Sequence, residues 1–111
     1  MFLIVSKYLI SKGYRAMALF PFVIVREKRD AGNAVLINHE RIHLRQQMEL
    51  LVLPFYLWYF TDYLVKIVLY RDTSKAYRNI VFEREAYANE GNKHYLKSRP
   101  AWRFLKYFST K

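Results

Sequence analysis

The chain has 111 residues, of which 53% are hydrophobic and 18% aromatic, and it carries a formal net charge of +10. That length suits one domain spanning 1–111, and the apolar content excludes a disordered polymer. No cysteine is present, which excludes disulfides and thiolate metal sites and favours a reducing, cytoplasmic setting.

The basic residues are spread along the chain without a nucleic-acid motif. They read as a solvated cationic surface that can touch an anionic membrane peripherally, with no nucleic-acid partner expected. Three glycines and three prolines leave little for long loops. A mainly α (α+β) fold follows, with a short N-terminal β edge strand or hairpin.

Met1-Phe2-Leu3-Ile4-Val5 is apolar but lacks the basic leader and cleavage site of a signal peptide, and Lys7 interrupts it. A short helix or strand through Ile10 is expected, broken at Gly13. Residues 14–25 are β-branched and aromatic, which suits strand. Pro21 has no N–H, so it confines that run to an edge or splits it into two short strands. An edge beside a cleft can pair with an extended peptide, although composition alone favours a strand that merely covers helices.

Asp30 or Asn33 can cap the next helix, which runs to about Leu53 before Pro54 kinks or ends it. Within it, His39-Glu40-Arg41-Ile42-His43 reads H-E-x-x-H. Side chains four apart share a helix face, so both imidazoles can reach one ion, and Glu40 is offset enough to hold a water without ligating. With no thiolate available, two imidazoles point to zinc, whose catalytic sites keep one position open.

Residues 50–70 form the most hydrophobic run. Asp62 and Lys66 fall inside it at i, i+4, where they are expected to pair, and mid-span charges are costly in lipid. A buried or half-buried core helix is expected, with peripheral membrane contact as the minority reading. Residues 71–74 form a capped turn. A last long helix then runs from about Ser74 to Glu90 and stops at Gly91. Short helical pieces follow at 92–98 and 102–108. Their aromatics complete the core or, as the less favoured reading, dock in the cleft and hold it latent.

Two histidines do not complete a catalytic zinc site. Glu49 points off the face of His43, Asp62 is explained by Lys66, and Asp72 by its turn. Glu85 falls on another face, where solvent or an arginine is its expected neighbour. Glu83 lies between Phe82 and Ala86 on a packed helix, sharing a face with Asn79, Tyr87 and Glu90. A carboxylate placed there needs a partner, and a metal is one.

The combination of His39-Glu40-Arg41-Ile42-His43 with Glu83-Arg84-Glu85-Ala86-Tyr87 resembles the gluzincin metallopeptidases. The membrane-associated gluzincins take their third ligand from the first Glu of an E-x-x-A-D pattern. Over residues 36–90 the chain looks most like the minigluzincins and the peptidase domain of β-lactam sensor proteins. The resemblance implies a minimal zincin-like helical domain in which His39, His43 and Glu83 hold Zn2+. It implies hydrolysis of a peptide or protein substrate by a metal-held water, with Glu40 as general base.

Tyr87 stands where that pattern has Asp. If the Asp orients a histidine ligand, then Asn79, Tyr87 or a backbone carbonyl must replace it here. Tyr87, His94 and Tyr95 are candidate oxyanion donors. Two other readings compete: an inactive gluzincin-like regulatory or binding module, and a cationic membrane-surface protein with a fortuitous motif.

Overall fold

A computed structural model describes residues 1–10 and 13–108. The run 14–25 is two strands, β2 (Ala16–Leu19) and β3 (Phe22–Val25), paired antiparallel on either side of Phe20-Pro21. The proline splits the run, as its missing N–H requires. Strand β1 (Phe2–Val5) pairs parallel with β3, giving the order β1-β3-β2 and leaving β2 at an edge. Ala18, Val23 and Val25 bury against Leu44 of the first helix.

That helix is α1 (Ala34–Leu50), and of the two expected caps it uses Asn33, whose Oδ1 accepts from the Leu36 N–H at 3.1 Å. Asp30 instead pairs with Arg15 at 2.8 Å. α1 ends three residues earlier than expected. Leu51 takes φ 70°, ψ 155°, which L side chains rarely adopt, and α2 (Val52–Tyr70) starts at once. Pro54 therefore sits in the first turn of α2, where a missing N–H breaks no intrahelical bond.

The helix expected over 74–90 is two helices, α3 (Thr73–Arg78) and α4 (Val81–Asn89). Asp72 caps α3 through the N–H groups of Ser74 and Lys75. No glycine or proline marks the break before α4. Asp62 on α2 makes it, because its Oδ2 accepts from the Val81 N–H at 2.7 Å and so satisfies a new helix start from a distance. α5 (Tyr95–Ser98) and a 3₁₀ turn (Arg103–Tyr107) follow as the two short pieces.

The expectation of a mainly α (α+β) fold holds: among the described residues five α-helices accompany one three-stranded sheet. Phe104 packs with Phe55, Ile80, Val81 and Phe82, while Tyr95 packs with Ile42 and Ala86. The C-terminal segment thus completes the core. The core-helix expectation for α2 holds on one face only. Its buried residues are Phe55 and Lys66, and it is long and apolar enough to cross a membrane while only 11% of that stretch is buried.

Candidate metal centre

α1 and α4 bring three groups to one point. His39 Nε2 lies 2.9 Å and His43 Nε2 3.1 Å from the same oxygen, Glu83 Oε1. One ligand atom from each residue lies within 4.8 Å of the others, and all three residues are buried. Among the described residues, the buried His43 Nε2 has no partner but that same Glu83 oxygen. Two imidazole nitrogens and a carboxylate oxygen form a donor set that zinc favours. The residues present fit the ion.

The far sides of both imidazoles are held. His39 Nδ1 is 2.7 Å from Glu90 Oε1, and His43 Nδ1 is 2.8 Å from Gln46 Oε1. Gln46 is itself fixed, since its Nε2 donates to the Phe82 carbonyl at 3.2 Å and to Glu85 Oε1 at 3.0 Å. Both Nδ1 atoms therefore donate, leaving each Nε2 lone pair for an ion when the ring is neutral.

This corrects the expected replacement for the missing Asp. Asn79 turns to the Lys75 carbonyl and to Arg84. Tyr87 stacks edge-on against His39, with ring centroids 4.6 Å apart and the Arg78 guanidinium 4.2 Å from its own ring. Glu90 was legible as the residue seven past Glu83 on one face, and Gln46 as three past His43. Tyr59, whose hydroxyl donates to Glu83 Oε2 at 2.5 Å, gave no signal within its aromatic-crowded helix.

Glu40 is buried, and its carboxylate has no hydrogen bond among the described residues. Burial pushes its pKa up, only partly opposed by His43 and His39. For Glu83, burial also acts upward, but the His43 charge and hydrogen bonds from both histidines hold it below the usual carboxylate range. Burial alone would lower His43, yet the charge and hydrogen bond of Glu83 outweigh it and raise the imidazole from 6.5 to about 9.

With the His43 pKa raised in this way, a metal ion binding there competes with a proton. Zinc affinity is expected to rise about tenfold per pH unit up to about pH 9, checked by chelator competition at several pH values. A flat profile between pH 6.5 and 9 would show that no such proton is there. Without metal, the shift stabilises the fold fully below pH 6.5, and that contribution fades as pH rises through about 9.

Two cavities flank the centre. The first, about 440 Å³, is lined by Met17 of β2, by Phe55, Tyr56, Phe60 and Tyr63 of α2, and by His43 and Glu83. The second, about 360 Å³, lies beside Ala16, His39, Tyr87 and Glu90. Glu40 and Tyr77 line both, so the cavities meet beside Glu40. Among the described residues, none beyond Glu90 lines either, which leaves the docking of the C-terminal segment without support.

Of the oxyanion candidates, Tyr87 borders the second cavity. Tyr95 is committed to Glu85 Oε2 at 2.6 Å, and His94 is exposed and lines neither cavity. Glu85 meets an arginine rather than solvent. It is fully buried and accepts from Arg99, which also grips Glu49 at 2.8 and 3.0 Å.

Strand β2 borders both cavities with a partly closed edge. The Arg26 N–H donates to the Arg15 carbonyl at 2.8 Å, so Arg15 faces β3, and alternation turns Ala16, Ala18 and Phe20 outward. The Ala18 carbonyl accepts from Gln47 Nε2 at 2.9 Å and from the Tyr56 hydroxyl. The Phe20 N–H donates to Gln47 Oε1 at 2.7 Å. Ala16 is left with its outward backbone groups beside Glu40.

Compared with protein-family models, with curated proteins and with solved structures, the chain matches none.

Proposed function

We propose that this chain is a zinc metallopeptidase of gluzincin type acting in the cytoplasm. The observation that carries the reading is the convergence of His39 Nε2 and His43 Nε2 on Glu83 Oε1, with both opposite nitrogens held by acceptors. His39, His43 and Glu83 hold Zn2+, and Glu90, Gln46 and Tyr59 fix their orientation. When bound, zinc supplies Lewis acidity that acidifies water and polarises a carbonyl.

Glu40 takes a proton from the attacking water and passes it to the leaving amine. Its buried setting lifts its proton affinity, which favours taking up the proton. Substrate is a peptide in extended form, paired at Ala16. One apolar or aromatic side chain fills the 440 Å³ cavity between Met17, Phe55 and Tyr63. Tyr87 is the candidate hydroxyl for the developing oxyanion.

The test is metal content after purification, wild type beside His39→Ala, followed by cleavage assays on unstructured peptides. Stoichiometric zinc in the wild type, largely lost in the variant, is the expected result. A wild-type protein that neither retains nor takes up zinc would remove the reading.

A further inference from the structure

Helix α2 presents its polarity in reverse. Its charged residues Asp62 and Lys66 turn inward, with Lys66 Nζ 2.7 Å from Asp62 Oδ1 and Asp62 Oδ2 capping α4. Outward, at helical spacing, stand Leu53, Leu57, Phe60, Leu64 and Val68, four of them exposed by 73%, 64%, 63% and 75% (Leu53, Leu57, Leu64, Val68). No exposed residue of α2 is charged. From Leu53 to Val68 the stripe runs roughly 22 Å along the axis. An apolar surface of that extent marks a partner or a membrane rather than scattered exposure.

The charge around it selects the occupant. Immediately past the stripe stand exposed Arg71 and Lys75, while Arg78 turns onto the Tyr87 ring, and the carboxylate beside them, Asp72, is committed to capping α3. A second copy would bring its own net charge of +10 against this one. An anionic lipid surface offers hydrocarbon for the stripe and phosphate for the cations at once.

We infer that the outward face of α2 docks on an anionic bilayer, with the leucines at the headgroup–acyl boundary and Arg71 and Lys75 on lipid phosphates. Phe60 belongs both to this stripe and to the lining of the 440 Å³ cavity. Leu9 and Tyr14, exposed and lining that same cavity, extend its apolar rim. Docking therefore turns this mouth of the cleft toward the lipid. Resting on the peptidase reading, this assigns the substrate class as polypeptide segments lying on or emerging from a membrane surface.

The experiment is co-sedimentation of the full chain with vesicles of phosphatidylcholine alone and with about a third phosphatidylserine. Wild type is compared with Leu57→Glu/Leu64→Glu and with Arg71→Glu/Lys75→Glu, each checked for unchanged circular dichroism and zinc content. Expected are binding to the anionic vesicles only, weakening as salt rises, and a loss of at least about tenfold in either double variant.

Absent vesicle binding, or equal binding by the Leu57/Leu64 variant, overturns the inference. So does a stripe-dependent dimer in sedimentation velocity, which would give the face to protein instead. Vesicle binding is also read on His39→Ala. Lipid binding with no zinc in any variant would fail the peptidase reading alone, and zinc with cleavage but no lipid binding would fail the docking alone.

Discussion

Glu40→Gln leaves zinc in place and lowers kcat for peptide cleavage by about 10²–10⁴-fold, the range typical of a lost general base. The residue is not among the atoms grouped around Glu83 Oε1, so the ligand set survives the change. It borders both cavities where they meet, and no hydrogen bond among the described residues competes for its oxygens. Glutamine has the same shape but cannot take up the proton. Metal content and single-turnover rates on one fluorogenic peptide check this together, with KM expected to move little. A Gln variant cleaving at the wild-type rate would sink the assignment.

Arg99→Ala costs the fold about 3–5 kcal/mol, because it strands a carboxylate that lies wholly inside the protein. Glu85 is fully buried and accepts from Arg99, Tyr95 and Gln46. Burial would raise its pKa, but the hydrogen bonds from these three hold it below 4.5. Its contribution to stability is therefore present above pH 4.5 and is lost as the pH falls through the depressed value. Urea unfolding of the variant at neutral pH measures the cost, and a loss under about 1 kcal/mol would show the pair to be dispensable. Gln46 joins this cluster to His43, so zinc affinity should weaken as well. For the same reason, a chain truncated before Asn92 should not fold.

What could be read from the residues was what repeats within one helix. The four-residue interval from His39 to His43, and the embedding of Glu83 between Phe82 and Ala86, are local facts. The structure brings those three residues together. The breaks around them were not local. Leu51 ends α1 in a conformation for which glycine is the usual signal, and Asp62 starts α4 from nineteen residues away. Glu90 and Gln46 stood at readable intervals, but which imidazole each would meet depended on how α4 packs across α1. The run over 50–70 was legible as the most hydrophobic of the chain, though which of its faces turns inward was not. An apolar face ordinarily turns inward, and only the inward pairing of Asp62 with Lys66 shows that this one does not.

The closed stretch of β2 bears on how the protein behaves in a crowded solution. Bare sheet edges seed growth from one molecule to the next, and many proteins blunt them with lysine, proline or a bulge. Here a glutamine side chain imitates a neighbouring strand, its amide meeting the Ala18 carbonyl and the Phe20 N–H as a backbone would. Gln47 is a plug, and it is borrowed from the same helix that carries the histidines. Gln47→Ala would free the Phe20 N–H and leave the Ala18 carbonyl to Tyr56 alone, reopening part of the edge. Fibril or aggregate formation on storage is the price such a variant would show before any change in chemistry.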